Sequence, residues 1–189
     1  MTADRVTGRP RWRSVGRVDR EQLRATQQPI KERYRSEPAA ALVTLRAEGE
    51  LDATDVACSV ATGRALVQAG LHPATGGSGA LACSGDMLLQ ALVACAGVTL
   101  RSVATSLEIP VGGTLRAEGD LDFRGTLGLG KDDAAPVGFR EIRLVFDLHG
   151  DATEEQLDTL LRLTERYCVV YQTLAGDAHL SVVREHARA

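Results

Sequence analysis

The sequence predicts an α+β fold, in which the elements follow the order strands, helix, strands, helix, strand rather than a regular βαβ repeat. A mostly apolar run of 14 residues, 87–100, lies between Asp86 and Arg101. Its length suits a helix buried in a protein core and is too short for a bilayer span. Thr153 and Gln156 have the spacing of a capping box, which predicts the start of a second helix.

The composition is that of one soluble domain. The chain has 189 residues, of which 44% are hydrophobic and 25% charged, so disorder of the whole chain is excluded. The first 24 residues are polar and rich in arginine, unlike a secretory signal. We therefore expect a cytoplasmic protein with no membrane segment.

Charge is distributed unevenly along the chain. Residues 1–35 contain ten basic and four acidic residues, a net charge of +6, whereas the rest contains 12 basic and 21 acidic residues, a net charge of −9. A basic arm of this kind suits a nucleic acid, an anionic surface, or the acidic body of its own or a partner chain. Its only aromatic residues are Trp12 and Tyr34, too few to stack single-stranded bases, so no nucleic-acid partner is expected.

The first 38 residues are predicted to be a basic extension, and residues 39–189 the folded domain. Residues 1–18 are expected to be disordered, whereas 19–36 have the composition of a helix. Asp19 is positioned to cap this helix and Pro38 to stop it, while Pro29 is expected to kink or split it.

Short strands are predicted to open the folded domain. Side chains alternate over 42–47, which indicates a strand, and Glu48-Gly49-Glu50 is expected to be its turn. Residues 56–60 and 65–67 flank Thr62-Gly63, a pattern that predicts a hairpin.

A glycine-rich loop over 70–85 is expected to lead into the first core helix. Ser84 is predicted to cap this helix, which spans 85–107 and ends before Pro110. The loop has neither the lysine of a P-loop nor a dinucleotide fingerprint, so it predicts a mobile loop and no bound cofactor. His72 in this loop is either a base that polarises a thiol or a structural residue.

The second half of the domain is predicted to contain strands at 113–123 and 139–148, with a loop at 125–138. A helix is expected over 154–168, and a final strand at 178–184 closes the chain.

Four cysteines carry the candidate chemistry. They form no C-x-x-C pair and no zinc-finger spacing with histidine, so no metal site is expected. Cys95 lies among small apolar residues, a setting that by itself favours an inert, buried thiol. Cys168 lies at the end of the second helix. Cys58 falls in a predicted strand and is expected in the core. Cys83 lies twelve residues before Cys95 in the glycine-rich loop and is a second candidate, besides Cys168, for a disulfide with Cys95.

Five short motifs occur in a characteristic order along residues 40–184. They are Asp86-Met87-Leu88, Ala94-Cys95, Asp122-Phe123-Arg124-Gly125, Val137-Gly138-Phe139 and Cys168. In this order and spacing the sequence resembles the OsmC/Ohr family, the osmotically inducible and organic-hydroperoxide-resistance proteins. The resemblance implies an intertwined homodimer, in which two central helices pack against antiparallel sheets and the active site lies at the subunit interface.

The resemblance also implies the chemistry. Cys95 would attack an organic hydroperoxide, Cys168 would resolve the product as a disulfide, and an external dithiol would reduce it. Asp86 is the acidic candidate, beside the position where the peroxidase branch has glutamate and this chain has Gly85. On a straight helix Asp86 lies about half a turn round from Cys95, so a kink is needed to bring it close.

The family arginine that lowers the thiol pKa has three candidates here, Arg46, Arg64 and Arg101. The leading hypothesis is a homodimeric thiol peroxidase. The alternative is a dimeric binding protein that holds an apolar or electrophilic ligand in the same pocket without turnover. A lowered pKa at Cys95 favours the first, because an inert buried thiol has a raised pKa. A third hypothesis is a basic-armed adaptor for acidic partners.

Overall fold

The computed structural model describes residues 19–37, 40, 48–51, 57–61, 66–128 and 136–184. Within them the structure contains helices and two small sheets, in which most strand pairs are antiparallel. The predicted α+β class is therefore confirmed. The expected disorder of 1–18, the strand at 42–47, Pro38 and the turn at Thr62-Gly63 lie outside the described residues.

The first helix, α1 (Arg20–Ser36), begins as predicted. Asp19 accepts a hydrogen bond from the Gln22 backbone at 2.8 Å, and the Gln22 side chain accepts one from the Asp19 backbone at 3.2 Å, which completes a capping box. Pro29 lies inside the helix without splitting it, because a proline removes only one N–H donor and the turns on either side keep theirs.

The N-terminal strands form one sheet in the order β1 (Glu48–Leu51), β2 (Ala57–Ala61), β3 (Leu66–Gly70) and β4 (Ala82–Cys83). The predicted hairpin is confirmed, since β2 and β3 pair antiparallel. The turn predicted at 48–50 is wrong, because these residues are β1 and Gly49 pairs with Val60. Pairing with a neighbouring strand outweighs the turn preference of the local sequence.

The central helix, α2 (Ser84–Ser106), starts inside the predicted loop. Cys83 rather than Ser84 is the N-cap, and it makes no side-chain capping bond. The capping prediction for Ser84 is therefore wrong. The helix ends at Ser106 with Leu107 as its C-cap, and Glu108 then adopts a φ of 57°, which turns the chain towards the next strand.

By length and composition α2 is able to cross a bilayer, as core helices of soluble proteins also are, because it has 23 residues and an 18-residue stretch of it has a mean hydropathy of 1.6. The 14-residue apolar run therefore underestimates the length of this helix. In this fold one side of α2 packs against α4 (Glu154–Tyr167), α5 (Val169–Ala175) and β5 (Val111–Leu121). That side carries buried residues at every fourth position, namely Leu92, Ala96, Leu100 and Ala104.

A long hairpin of β5 (Val111–Leu121) and β6 (Phe139–Gly150) covers α2. Gly113 has a φ of 142°, and a Cβ there would lie 2.1 Å from the Asp147 carbonyl oxygen, so only glycine fits this close approach. Between the strands lies one helical turn, α3 (Phe123–Thr126), which spans the end of the strand predicted at 113–123 and the start of the loop predicted at 125–138.

The conspicuous Asp122–Arg124 motif has a structural role in this turn. Asp122 caps α3 and forms an ion pair with Arg124 at 2.5 Å. Hydrogen bonding from Arg124 lowers the pKa of Asp122 to about 2. The motif therefore holds the end of β5 in place.

The chain ends with α4 (Glu154–Tyr167) and α5 (Val169–Ala175). The predicted capping box of Thr153 and Gln156 opens α4. The strand predicted at 178–184 is wrong: it is not part of a sheet among the described residues, and the side chain of Val182 is fully exposed. A strand needs a hydrogen-bonding neighbour, which local sequence does not supply.

The core lies where α2 meets the hairpin and the last two helices. One buried cluster contains Leu100, Ala104, Ile109, Val111 and Leu160. A second cluster contains Leu92, Ala96 and Cys168. The second cluster places a thiol of the C-terminal helices directly against the central helix.

Candidate active site

Two of the four cysteines meet in the second core cluster. Cys95 projects from α2 and is half-buried, while Cys168 lies fully buried at the junction of α4 and α5. Cys95 packs against the cluster that contains Cys168, and the Cys168 side chain contributes to the lowered pKa of Cys95. The fold therefore brings together the two thiols that the resemblance singles out.

The environment of Cys95 favours its thiolate. Burial by itself raises the pKa, but hydrogen bonds from the Val170 backbone, the Cys168 thiol and the Val169 backbone together hold the pKa of Cys95 below its ordinary value. Both backbone donors belong to the first turn of α5. No arginine is among the groups that lower this pKa in the described part of the chain.

The environment of Cys168 has the opposite effect. Burial raises the pKa of Cys168, and the neighbouring Cys95 raises it further, against a hydrogen bond of 3.5 Å from the Tyr171 backbone. The pair is thus asymmetric, because the pKa of Cys95 is lowered and that of Cys168 is raised, so Cys95 is the thiol that ionises more readily. This arrangement provides a nucleophile next to a proton donor.

A cavity of about 320 Å³ with a mainly apolar lining lies near the pair, although neither cysteine lines it. Leu92 and Tyr171 line it and also pack in the cluster that holds Cys168. Its other apolar walls come from β6 and α5, with Arg140 and Glu141 beside them. A cavity of this size accepts a small organic molecule with an apolar body.

Asp86 lies in a different place. It is exposed in the first turn of α2 and lines a second cavity, of about 340 Å³, together with His72 and Cys83. Nine residues of helix separate it from Cys95, about 13.5 Å along the axis and on the opposite side. Within one chain Asp86 therefore does not reach the thiol pair, and its catalytic role stays a prediction.

The same geometry excludes Cys83 as a resolving thiol for Cys95 of its own chain. Cys83 is the N-cap of α2 and Cys95 lies twelve residues further along, a rise of about 18 Å. A disulfide requires Cα atoms within about 7 Å. The side chain of Cys58 lies outside the described part of the structure.

The remaining candidates have structural roles or lie outside the described residues. His72 accepts a hydrogen bond from the Ala74 backbone at 3.0 Å, and its ring stacks on Phe123 with centroids 4.7 Å apart. Arg101 donates to the Val111 carbonyl at 2.9 Å, which holds the start of β5 against α2. Arg46 and Arg64 are not described.

Helix α5 is the functional element that the sequence analysis missed. Its residues begin Val-Val-Tyr, which resembles a strand, and no Ser, Thr, Asp or Asn precedes them. In the structure Cys168 takes the capping position through its sulfur. Among the described residues no group of three or more His, Cys, Asp or Glu side chains is arranged to hold a metal.

We expect the Cys168→Ala variant to raise the pH at which Cys95 becomes reactive. The substitution removes the hydrogen-bond donor that stabilises the Cys95 thiolate, whereas Cys168→Ser keeps a donor. The measurement is the rate of iodoacetamide alkylation of Cys95 against pH, resolved by peptide mass spectrometry. The wild type and the serine variant should share a low midpoint. Equal midpoints for the alanine and serine variants would contradict the assignment.

More than half of the chain matches one known protein family. The family described as OsmC-like protein matches residues 77–183. No protein among the curated sequences matches the chain at a significant level.

Solved structures share the fold at low identity. An OsmC-like protein from Mycoplasma pneumoniae is 17% identical, with a TM-score of 0.58, and the match covers 71% of this chain and 89% of that one. An organic hydroperoxide resistance protein from Elizabethkingia anophelis is 19% identical, with a TM-score of 0.57, and the match covers 72% and 91%. The predicted fold is confirmed by these similarities.

Proposed function

Since this chain belongs to the OsmC family, we propose that it is a thiol-dependent peroxidase that reduces organic hydroperoxides with Cys95 and Cys168. The observation that carries the proposal is the asymmetry of the pair: the pKa of Cys95 is lowered and that of Cys168 is raised. An inert buried thiol would have a raised pKa, so this direction favours the peroxidase over a binding protein without turnover.

In the first step the Cys95 thiolate attacks one oxygen of the hydroperoxide. A sulfur–oxygen bond forms and the oxygen–oxygen bond breaks, which leaves Cys95 as a sulfenic acid and releases an alkoxide that takes up a proton to become the alcohol. Sulfur is oxidised and the peroxide is reduced by two electrons. The adjacent Cys168 thiol is positioned to supply that proton.

In the second step Cys168 attacks the oxidised sulfur of Cys95. A disulfide forms and water leaves, so the two thiols together have supplied the two electrons. An external dithiol then reduces the disulfide by exchange and returns both thiols. The burial of Cys168 protects it from direct oxidation until the Cys95 sulfenic acid is formed next to it.

The apolar cavity supports an organic substrate. Leu144 and Leu174 line it beside Leu92 and Tyr171, and such walls hold an alkyl or acyl chain better than hydrogen peroxide. The structural similarity to organic hydroperoxide resistance proteins is consistent with this substrate class.

We also propose that the protein works as a homodimer in the cytoplasm. Helix α2 leaves apolar side chains on its outer side, with Leu88 exposed by 37% and Val98 by 72%, and the apolar segment at 180–183 is also exposed. A second copy would cover such surfaces. Asp86 would then take part in catalysis only across the subunit interface, because its own chain holds it away from Cys95.

The test of the proposal is the fate of the two thiols after a stoichiometric pulse of cumene hydroperoxide. Peptide mass spectrometry of the wild type should find a disulfide between Cys95 and Cys168. In Cys168→Ser, a Cys95 sulfenic acid should accumulate and react with dimedone. If both thiols stay reduced in folded protein, the peroxidase proposal fails and the cavity should be screened for ligands.

A further inference from the structure

Helix α1 presents a basic stripe, defined here as Arg24, Lys31 and Arg35. The three residues are exposed, and helical geometry places them within about 40° of one another around the axis. Within the chain, α1 contacts α2 and Arg20 bridges to Glu108 at 2.7 Å. No carboxylate of the described residues pairs with the basic stripe.

Helix α4 presents the opposite charge, on an acidic stripe defined as Glu154, Asp158 and Glu165. These residues are also exposed and also lie within about 40° of one another. Among the described residues no Lys, Arg or His forms an ion pair with any of the three. Arg162 lies one turn from Asp158 and Glu165 on α4, but no described cation lies within ion-pair distance of these carboxylates.

The two stripes match when the helices run antiparallel. The cations are separated by seven and then four residues, whereas the carboxylates are separated by four and then seven. An antiparallel alignment therefore places Arg24 opposite Glu165, Lys31 opposite Asp158 and Arg35 opposite Glu154. The outer residues of each stripe are eleven positions apart, about 16.5 Å along the axis, so all three pairs form in one register.

We propose that α1 of one chain docks antiparallel on α4 of a second copy through these three ion pairs. The occupant of the basic stripe is thus the acidic body of the same protein, to which the opposite net charges of the arm and the body also point. None of the three pairs is formed within the chain as described. The contact goes beyond the proposed peroxidase function and does not depend on it.

Carbodiimide cross-linking tests the contact directly, because it joins an amine to a carboxylate without a spacer. The chain contains only two lysines, Lys31 and Lys131, so the sites of reaction are easily assigned. Equal amounts of full-length ¹⁴N and ¹⁵N protein are mixed, dissociated, reassociated and cross-linked. We expect a peptide pair joining Lys31 to Asp158 with one light and one heavy partner, strongly reduced at about 0.5 M NaCl.

Charge reversals sharpen the test. Arg24→Glu with Lys31→Glu should weaken self-association at low salt by about tenfold or more in sedimentation velocity, and Asp158→Lys with Glu165→Lys should do the same. All four changes in one chain should restore it, because both signs are exchanged. Glu154 is left unchanged because a carboxylate in the first turn stabilises α4.

Arg33→Glu is the matched control for Lys31→Glu, since Arg33 lies about 200° round the helix on the opposite face. It should leave self-association and the cross-link unchanged. Three results would overturn the proposal: a cross-link found only within singly labelled pairs, no link to α4 at all, or a fourfold variant as weak as the double ones. Binding of labelled duplex DNA that is lost with Arg24 and Lys31, without any cross-link, would assign the stripe to nucleic acid instead.

Discussion

Replacing Cys95 by serine is expected to lower the rate of organic-hydroperoxide reduction by about three orders of magnitude or more. Serine is a far weaker nucleophile, because its hydroxyl ionises much less readily than the Cys95 thiol, whose pKa is lowered. The measurement is the consumption of cumene hydroperoxide with a small dithiol as reductant, at a fixed concentration of folded protein. Cys95 is only half-buried, so the variant should retain the wild-type fold.

Two further variants separate a catalytic thiol from a merely oxidisable one. Cys83→Ser should keep wild-type activity, because Cys83 lies about 18 Å along α2 from Cys95. Cys168→Ser should complete the first step but overoxidise Cys95 to sulfinic acid when hydroperoxide is in excess. Full activity of Cys95→Ser, or an equal loss in Cys83→Ser, would refute the assignment of Cys95 as the nucleophile.

Leu160→Ala is expected to lower the free energy of unfolding by about 2–5 kcal/mol. Leu160 is fully buried between α4 and α2, against Leu100 and Ala104, so its loss removes apolar contacts and leaves a cavity. The measurement is urea denaturation of the wild type and variant at one protein concentration, because self-association would add to the apparent stability.

Leu127→Ala is the matched control, because its side chain is 52% exposed at the end of α3. It should change the free energy of unfolding by no more than about 0.5 kcal/mol. If Leu160→Ala were equally mild, the packing of α4 on α2 would not be the main support of the core. Contacts other than those of Leu160 would then hold Cys168, at the end of α4, against α2.

Elements with strong local signals were predicted correctly. The capping boxes at Asp19 and Thr153 bind their own backbone within three residues, so the sequence alone locates α1 and α4. The apolar run likewise predicts α2. The start of this helix was not predicted, because Cys83, the last residue of β4, is its N-cap and makes no side-chain capping bond.

Elements that depend on a neighbour were predicted less well. Glu48-Gly49-Glu50 has the composition of a turn and is a strand because β2 lies beside it. Residues 178–184 have the composition of a strand, yet they form none among the described residues. Short segments take the conformation that their hydrogen-bonding partners allow, and those partners are distant in the sequence.

The residues of the candidate site were likewise predicted in part from the sequence, while their arrangement depended on the tertiary structure. The residue pattern alone predicted the fold class, and the order of the motifs indicated which two thiols to compare. The tertiary structure favours Cys95 as the nucleophile over an inert core residue, because the groups that lower its pKa come from Cys168 and the start of α5. The tertiary structure also places Asp86 and Cys83 at the N-terminal end of α2, away from Cys95. Helix rise and packing set these distances, and residue identity alone does not contain them.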